Sequence, residues 1–312
     1  MKNLQVAVML LGLGCISSPA SALISTAWVS RDGADASTCG AALTPCRTIQ
    51  FVLNNIVTAD GEINVHDPAN YGSTSPILIT KSISINGVGA SVLIHVTSGP
   101  AIRITAGPND QVTLRGLTID GSDSTPTGIQ VDSVGSLRIE NTSIFHLTGI
   151  GVNFTPTGGN FSQLMISNSN LSQITGGEVV IRPTGAIFVA ATLAGTTFGM
   201  SGGTPGVKVD ATATTSGANV KISDCVFDSD NGVAAVAPAS GFVGVAVYRS
   251  SISNAQTALT ANGNAHISVD LSFISNVNTV ASTTGGGLVR SFGNNAIDFF
   301  QTLGPLGSLA LQ

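Results

Sequence analysis

Three aspartates that lie close together are the strongest candidates for metal chemistry in this chain. Asp224, Asp228 and Asp230 fall within seven residues, and Asn231-Gly232 follows them directly. We expect a polar turn in which Asp224 lies in a recurring bend and pairs with Arg249. The alternative is a calcium site, because carboxylate and amide oxygens are the ligands that Ca²⁺ prefers. Apart from calcium, we expect no cofactor.

The cysteine pattern predicts one disulfide bond. Cys39 and Cys46 lie seven positions apart around Thr44-Pro45, a spacing that suits a bridge closing a tight loop. A metal-binding cysteine pair is the alternative. Cys225 is then left over, and we expect it to be a buried, inert thiol.

The first 22 residues have the features of a signal peptide. Met1-Lys2-Asn3 gives a positive start, Leu4 to Leu13 is apolar, and Ala20-Ser21-Ala22 supplies a small-residue cleavage site. The alternative is lipid attachment through Cys15, although Gly12 stands where a lipobox normally has Leu. We therefore expect a secreted or periplasmic protein with no transmembrane segment in the mature chain, a location that permits disulfides.

The composition excludes several classes of protein. Only 9% of the residues are charged, and 12 Lys and Arg face 17 Asp and Glu, so the chain lacks the basic surface that binds nucleic acid. The 43% hydrophobic content, with low net charge, argues against disorder. With 37 Gly among 312 residues and only three Glu, the composition favours an all-β protein over a helical bundle.

The chain contains an internal repeat of eight-residue segments. Apolar residues occupy the first, third and eighth places of every segment, and successive segments begin 25, 27, 27, 29, 25 and 22 residues apart. The seven segments are 112–119, 137–144, 164–171, 191–198, 220–227, 245–252 and 267–274.

Each place in the repeat has a structural meaning. The first and third places alternate with polar ones, which is the period of a strand with one buried face. The fifth place is Gly, Asn or Asp in five units and then Arg249 and Leu271, which predicts a recurring left-handed bend. The eighth place opens a second strand, and segments such as Gly128–Val131 and Gly149–Val152 supply a third.

Strands that recur about every 25 residues, with no helix between them, must stack on copies of themselves. Because crossovers between parallel strands are right-handed, the sequence predicts a right-handed parallel β-helix, an all-β solenoid of about eight or nine three-stranded coils. At about 4.8 Å per coil, the rod is roughly 40 Å long.

Both ends of such a rod need a cap. Thr44-Pro45 gives a helix-start signal, and Ile49, Val52, Leu53 and Ile56 then fall on one face of a short capping helix. We divide the chain into a signal peptide (1–22), an N-terminal cap (23–60), the β-helix (61–298) and an apolar C-terminal capping tail (299–312).

Three segments resemble a known family. Ser30-Arg-Asp-Gly-Ala-Asp-Ala, Pro45-Cys-Arg-Thr-Ile-Gln and Ile79-Thr-Lys-Ser-Ile-Ser-Ile-Asn-Gly are similar to the opening segments of secreted bacterial β-helix proteins of the pectin-lyase-like superfamily. The likeness covers essentially the whole mature chain. It implies the fold, and it implies no single activity, since that superfamily holds lyases, hydrolases, esterases and adhesins.

The enzyme motifs that the resemblance implies are absent from the sequence. There is no Asn-Thr-Asp, Asp-Asp or Gly-His-Gly set of the polygalacturonase kind, and no Asp and Arg motifs of the pectin methylesterase kind. For a pectate-lyase-like site, Arg182-Pro183 alone is too little. Paired carboxylates of the glycosidase kind do not emerge from the repeat either.

The second and fourth places of each segment point outward and form one exposed face. On this face Arg115 and Glu140 are predicted to form a surface ion pair. Without a catalytic set, we expect an exported, non-catalytic protein that offers a structural, adhesive or glycan-binding surface. Its expected partners are polysaccharide or cell-envelope components, and the alternative is a polysaccharide lyase or glycoside hydrolase with a non-standard active site.

Overall fold

A computed structural model describes residues 23–90, 92–95, 98–122, 124, 126–199, 203–228 and 231–308. The predicted signal peptide, residues 1–22, lies outside the described residues. One helix, α1 (Ile49–Asn55), and thirty strands make up the regular structure of the described chain. Among these residues, no helix has both the length and the hydrophobicity that crossing a membrane requires.

The strands are numbered along the chain. They are β1 (Ile24–Val29), β2 (Val57–Val65), β3 (Ala69–Asn70), β4 (Ile77–Ile79), β5 (Ile83–Asn86), β6 (Val92–Ile94), β7 (Pro100–Thr105), β8 (Gln111–Arg115), β9 (Leu117–Asp120), β10 (Thr127–Ser133), β11 (Ser136–Glu140), β12 (Ser143–Leu147), β13 (Ile150–Phe154), β14 (Phe161–Ser167), β15 (Asn170–Ile174), β16 (Val179–Ile181), β17 (Phe188–Ala194), β18 (Thr197–Gly199), β19 (Pro205–Asp210), β20 (Gly217–Ser223), β21 (Val226–Asp228), β22 (Asn231–Ala237), β23 (Phe242–Tyr248), β24 (Ser251–Ser253), β25 (Thr257–Gly263), β26 (Ala265–Asp270), β27 (Phe273–Thr284), β28 (Leu288–Ser291), β29 (Ala296–Thr302) and β30 (Leu306–Ser308).

The strands form three parallel faces of a solenoid. Sheet 1 has the order β1-β2-β5-β8-β11-β14-β17-β20-β23-β26-β28-β30. Sheet 2 joins β3, β6, β9, β12, β15, β18, β21 and β24 to the first part of β27, and sheet 3 joins β4, β7, β10, β13, β16, β19, β22 and β25 to its last part. This is a parallel β-helix of about nine turns, as predicted.

The repeat produces the fold because equivalent places stack in register. Val112, Leu137 and Leu164 are direct partners on β8, β11 and β14. The first, third and eighth places of all seven segments are buried. Phe198 and Phe227 stack inside the coil with ring centroids 4.7 Å apart. Each fully buried large apolar side chain contributes about 1.5–3 kcal/mol to the free energy of folding. The continuous core therefore stabilises the fold without many ion pairs.

The predicted bend recurs at the fifth place of every unit. Positive φ angles occur there in Gly116 (67°), Asn141 (48°), Asn168 (48°), Gly195 (57°), Asp224 (56°), Arg249 (45°) and Leu271 (47°). Arg249 and Leu271 adopt a conformation that costs an ordinary side chain about 1–2 kcal/mol. The stacked coils therefore impose the bend even where the sequence does not favour it.

A ladder of small side chains follows the bend at the sixth place. Thr142, Ser169, Thr196, Cys225, Ser250 and Ser272 are all buried. The backbone N–H of Ser250 donates to Ser272 Oγ at 3.2 Å, and Ser250 Oγ donates to the carbonyl of Tyr248 at 2.9 Å. The hydroxyls of Ser169, Ser250 and Ser272 each link their own turn to the preceding coil, so a buried polar row is tolerated.

Helix α1 covers the first coil but begins later than predicted. Its N-cap is Thr48, whose Oγ1 accepts a hydrogen bond from the N–H of Phe51 at 3.2 Å. The start signal assigned to Thr44-Pro45 is therefore wrong, because those residues lie in the disulfide loop. Ile49, Val52 and Leu53 are buried as the helical pattern indicates.

The boundaries of the N-terminal cap and the C-terminal tail stay a prediction. The strand pairing of sheet 1 continues into both of these segments. Strand β1, inside the range assigned to the N-terminal cap, pairs with β2. Strand β30, inside the range assigned to the tail, pairs with β28, so Val289 lies opposite Leu306. Backbone pairing continues the stack where the side-chain repeat has faded.

The Cys39–Cys46 disulfide is present, with Cα atoms 5.0 Å apart. The Asp35 carboxylate lies close to both sulfurs, and it accepts hydrogen bonds from Thr48 Oγ1 at 2.7 Å and from the N–H of Arg47 at 2.8 Å. Because the two sulfurs are bonded to each other, the pair does not serve as thiolate metal ligands. The bridge instead joins the loop to the buried start of the fold.

Candidate functional site

The aspartates of the predicted calcium cluster have separate partners. Asp224 accepts two hydrogen bonds from the Arg249 guanidinium, each at 2.9 Å, and this contact holds the pKa of Asp224 below its usual range. Asp228, at the far end of β21, accepts a hydrogen bond from Asn254 Nδ2 at 2.6 Å. Asp230 lies outside the described residues. Asp224 therefore has the contact expected of the polar turn, and the calcium site stays a prediction.

The predicted ion pair on the outward face of sheet 1 is present. Arg115 and Glu140 lie 2.7 Å apart, and Arg138 adds a second contact to Glu140 at 3.2 Å. Burial acts to raise the pKa of Glu140, but the hydrogen bonds and charges of the two arginines outweigh it and hold that pKa below its usual range. Both arginines in this N-terminal half of the face are therefore ion-paired, and they share one carboxylate.

The C-terminal half of the same face contains a groove of about 570 Å³. Small residues form its floor because Ala190, Gly244 and Ala246 stand where longer side chains occur in other coils. The walls are larger side chains from four successive strands, β20, β23, β26 and β28: Asn219, Lys221, Phe242, Tyr248, His266 and Arg290.

The walls combine aromatic rings with cations. The rings of Phe242 and His266 meet edge to face, with centroids 5.4 Å apart, and 38% of Phe242 is exposed. Lys221 and Arg290 form no ion pair with any residue in the described part of the chain. None of the described lining residues is Asp or Glu, so the groove has a positive, partly apolar character.

The sequence repeat predicts only part of this groove. Lys221 and Tyr248 occupy the second and fourth places of their segments, which the repeat alignment marks as outward. Phe242 and His266 lie just before the eight-residue segments of their coils, and Arg290 belongs to the coil that follows the last of the seven segments. Extending the alignment upstream by three residues and onward by one coil would have placed all three residues on this face.

Cys225 has the environment that the repeat predicts. It is free, only 1% exposed, and lies in the sixth-place ladder beside the bend. Its N–H donates to Ser250 Oγ at 3.2 Å, and its thiol contacts the carbonyl of Ser223 at 3.3 Å. Burial raises the pKa of the Cys225 thiol to about 11, so the group stays protonated near neutral pH.

Comparison with known proteins identifies the fold. No family model matches the sequence, and no curated protein matches it. Among solved structures, pectate lyase Pel9A superposes with a TM-score of 0.60 at 12% identity, over 92% of this chain and 80% of that one. The A-module of the Azotobacter vinelandii mannuronan C-5 epimerase AlgE4 gives a TM-score of 0.41 at 11% identity, over 81% of this chain and 91% of that one.

At 12% identity, the likeness to Pel9A concerns the fold and leaves function open. It agrees with the three parallel sheets and with the resemblance seen in the sequence. The chain therefore adopts the right-handed parallel β-helix fold, which it shares with pectate lyase Pel9A.

Proposed function

We propose that this protein binds a polysaccharide along the outward face of sheet 1 without cleaving it. The observation that carries the proposal is the groove, in which aromatic rings and unpaired cations from successive coils face solvent together. Binding sites generally combine apolar and aromatic walls with a few placed polar groups. The lining residues come from five successive strands of sheet 1, so several units of one extended chain can contact them.

The charge of the groove favours an acidic polysaccharide. Lys221 and Arg290 are available to carboxylate or sulfate groups, since neither forms an ion pair with a described residue. An arginine can hold such a group through two parallel hydrogen bonds. Asn219 and His266 add hydrogen-bonding groups beside the rings of Phe242 and Tyr248, whose faces suit the C–H surface of a sugar.

A secreted or periplasmic location fits this role. The predicted signal peptide directs the chain out of the cytoplasm, and the Cys39–Cys46 disulfide is stable in an oxidising compartment. The partners would then be polysaccharides or other components of the cell envelope.

A polysaccharide lyase is the second candidate. The observation in its favour is that Tyr248 and His266, which can transfer protons, share the groove with the cations Lys221 and Arg290. Elimination from a uronate needs one group that neutralises the carboxylate and one that removes a proton. A hydrolase needs two facing carboxylates, and the described lining residues provide none.

The test incubates the protein with acidic and neutral polysaccharides, with and without a calcium chelator. Affinity electrophoresis measures retention, and mass spectrometry detects released oligosaccharides. We expect retention on acidic polymers without release. Lys221→Gln and Arg290→Gln should each weaken retention about tenfold, the loss of one charge-assisted contact.

The matched control is Arg138→Gln, which removes a cation from the same register position in the N-terminal half of the face, where Glu140 pairs with it. It should leave retention unchanged. Release of unsaturated oligosaccharides would establish the lyase instead, and sensitivity of that release to the chelator would implicate the coil of Asp224 and Asp228. Equal retention of all variants would exclude the groove as the binding site.

A further inference from the structure

A second cleft, of about 460 Å³, lies beside sheet 1 toward the N-terminal half of the rod. Its lining residues are Pro108, Asn109, Gln111, Gly135, Ser136, Gly159, Asn160 and Phe161. The lining differs from that of the groove because none of these residues carries a charge. The cleft offers amides, one hydroxyl and one aromatic ring, a set that forms hydrogen bonds to neutral polar groups.

Phe161 is presented to solvent as a rigid surface. It is 49% exposed, and its ring stacks on Phe188 of the next coil with centroids 6.4 Å apart and planes inclined by 13°. Phe161 and Phe188 are direct register partners on β14 and β17, so the backbone holds the two rings in place. A ligand that covers Phe161 would therefore lose little side-chain entropy of the protein on binding.

The cleft and the groove belong to one surface. Phe161, Phe188, Gly217 and Phe242 occupy the same register position on four successive strands. Gly217 interrupts the aromatic column because a Cβ there would lie 2.2 Å from the carbonyl oxygen of Phe242. With about 4.8 Å between strands, Phe161 lies about 14 Å along the axis from Phe242, within reach of one extended glycan.

We infer that Phe161 and its neighbouring amides form a second sugar subsite, which takes an uncharged pyranose. This inference rests on the proposed function, since the same glycan would place anionic units over Lys221 and Arg290. Charge complementarity indicates which part of the glycan binds at the cleft and which part binds at the groove. The cleft has no charged lining residue that could pair with a sugar carboxylate. The groove has two cationic side chains and no acidic residue among its described lining residues. The ligand is then a heteropolysaccharide that contains both uncharged and anionic sugars.

The test uses uncharged gluco-, manno-, galacto- and xylo-oligosaccharides and measures saturation transfer from the protein to each sugar by NMR. Wild-type protein should give transfer to at least one of them. Phe161→Thr should weaken that binding about tenfold by removing the stacking surface. The double variant Lys221→Gln/Arg290→Gln should retain it, because the groove is not involved.

Phe273→Thr is the matched control. Phe273 is likewise 50% exposed and begins a strand, but it lies on sheet 2. It should bind as wild type does, and circular dichroism should show that both threonine variants keep the fold.

Absence of transfer to every uncharged sugar, or transfer that Phe161→Thr leaves unchanged, would overturn the inference. Either result leaves the proposed function standing if acidic polymers are still retained through Lys221 and Arg290. If wild-type protein is not retained on acidic polysaccharides, the proposed function itself is wrong, which is a separate outcome.

Discussion

The Arg249 guanidinium engages both carboxylate oxygens of Asp224, which lies at the same corner of the preceding coil. The guanidinium also lies 4.8 Å from the ring centroid of Tyr248. One side chain thus neutralises the exposed aspartate and supports a wall of the groove.

Arg249→Gln should raise the pKa of Asp224 toward its ordinary value of about 3.9. The hydrogen bonds from Arg249 lower this pKa in the folded protein, so their stabilising effect is present above pH 4 and disappears as pH falls through the folded pKa. Titration of the carboxyl carbon shift by NMR measures the change. Arg138→Gln, distant on sheet 1, should leave the Asp224 curve where it is, and an equally low pKa in Arg249→Gln would refute the assignment.

Leu271→Asn should stabilise the protein by about 1 kcal/mol. Leu271 is held at φ 47° with 48% of its surface exposed, so it incurs the left-handed penalty without burying its side chain. The midpoint of urea unfolding reports the gain. The reciprocal variant Asn141→Leu, at φ 48° in an earlier coil, should lose a similar amount. If the two changes have the same sign, backbone strain is not the cause.

Glu140→Gln should destabilise the protein by about 1 kcal/mol or less at pH 7, because it removes the partner of Arg115 and Arg138. Since the folded pKa of Glu140 is lowered, the wild-type advantage is full above about pH 4.3 and is lost as pH falls through the folded pKa. Urea midpoints measured between pH 7 and pH 2 should converge at the acidic end. A difference that is constant across this range would mean that the carboxylate charge does not matter.

Cys225 should resist alkylation in the folded protein at pH 8. Its burial and its pKa of about 11 leave almost no exposed thiolate. Mass spectrometry after iodoacetamide treatment should find Cys225 modified only when urea is present. Cys225→Ser should change stability by less than about 1 kcal/mol, because Ser169 and Ser250 already occupy the same ladder. Rapid labelling without denaturant would contradict the buried placement.

Gly244→Val should block the groove and spare the fold. A Cβ at this position would approach Asn219 Oδ1 at 2.7 Å and the Phe242 ring at 3.0 Å, and both side chains can move aside. Retention on acidic polysaccharide should fall at least about tenfold, which corresponds to 1.4 kcal/mol. Ala194→Val adds bulk to the same face outside the groove lining and is the control. Unchanged retention by Gly244→Val would show that ligand binds elsewhere.

The sequence by itself determined the scaffold. Apolar residues recur at the places of Leu137 and Ile139 because every coil must fill the same interior. Gly, Asn or Asp recurs at the place of Asn141 in most coils because every coil must turn at the same corner. The Cys39–Cys46 bridge and the Arg115–Glu140 pair follow from short spacing or from adjacent coils. These features depend on the spacing of residues along the chain and on which places of adjacent coils lie side by side. The alignment of the repeat contains both.

Only the tertiary structure decided the surface. Phe242, His266 and Arg290 come together because side-chain size varies freely on the outward face, where no core constrains it. A groove forms where small residues of some coils lie between large residues of others, and no single repeat contains that difference.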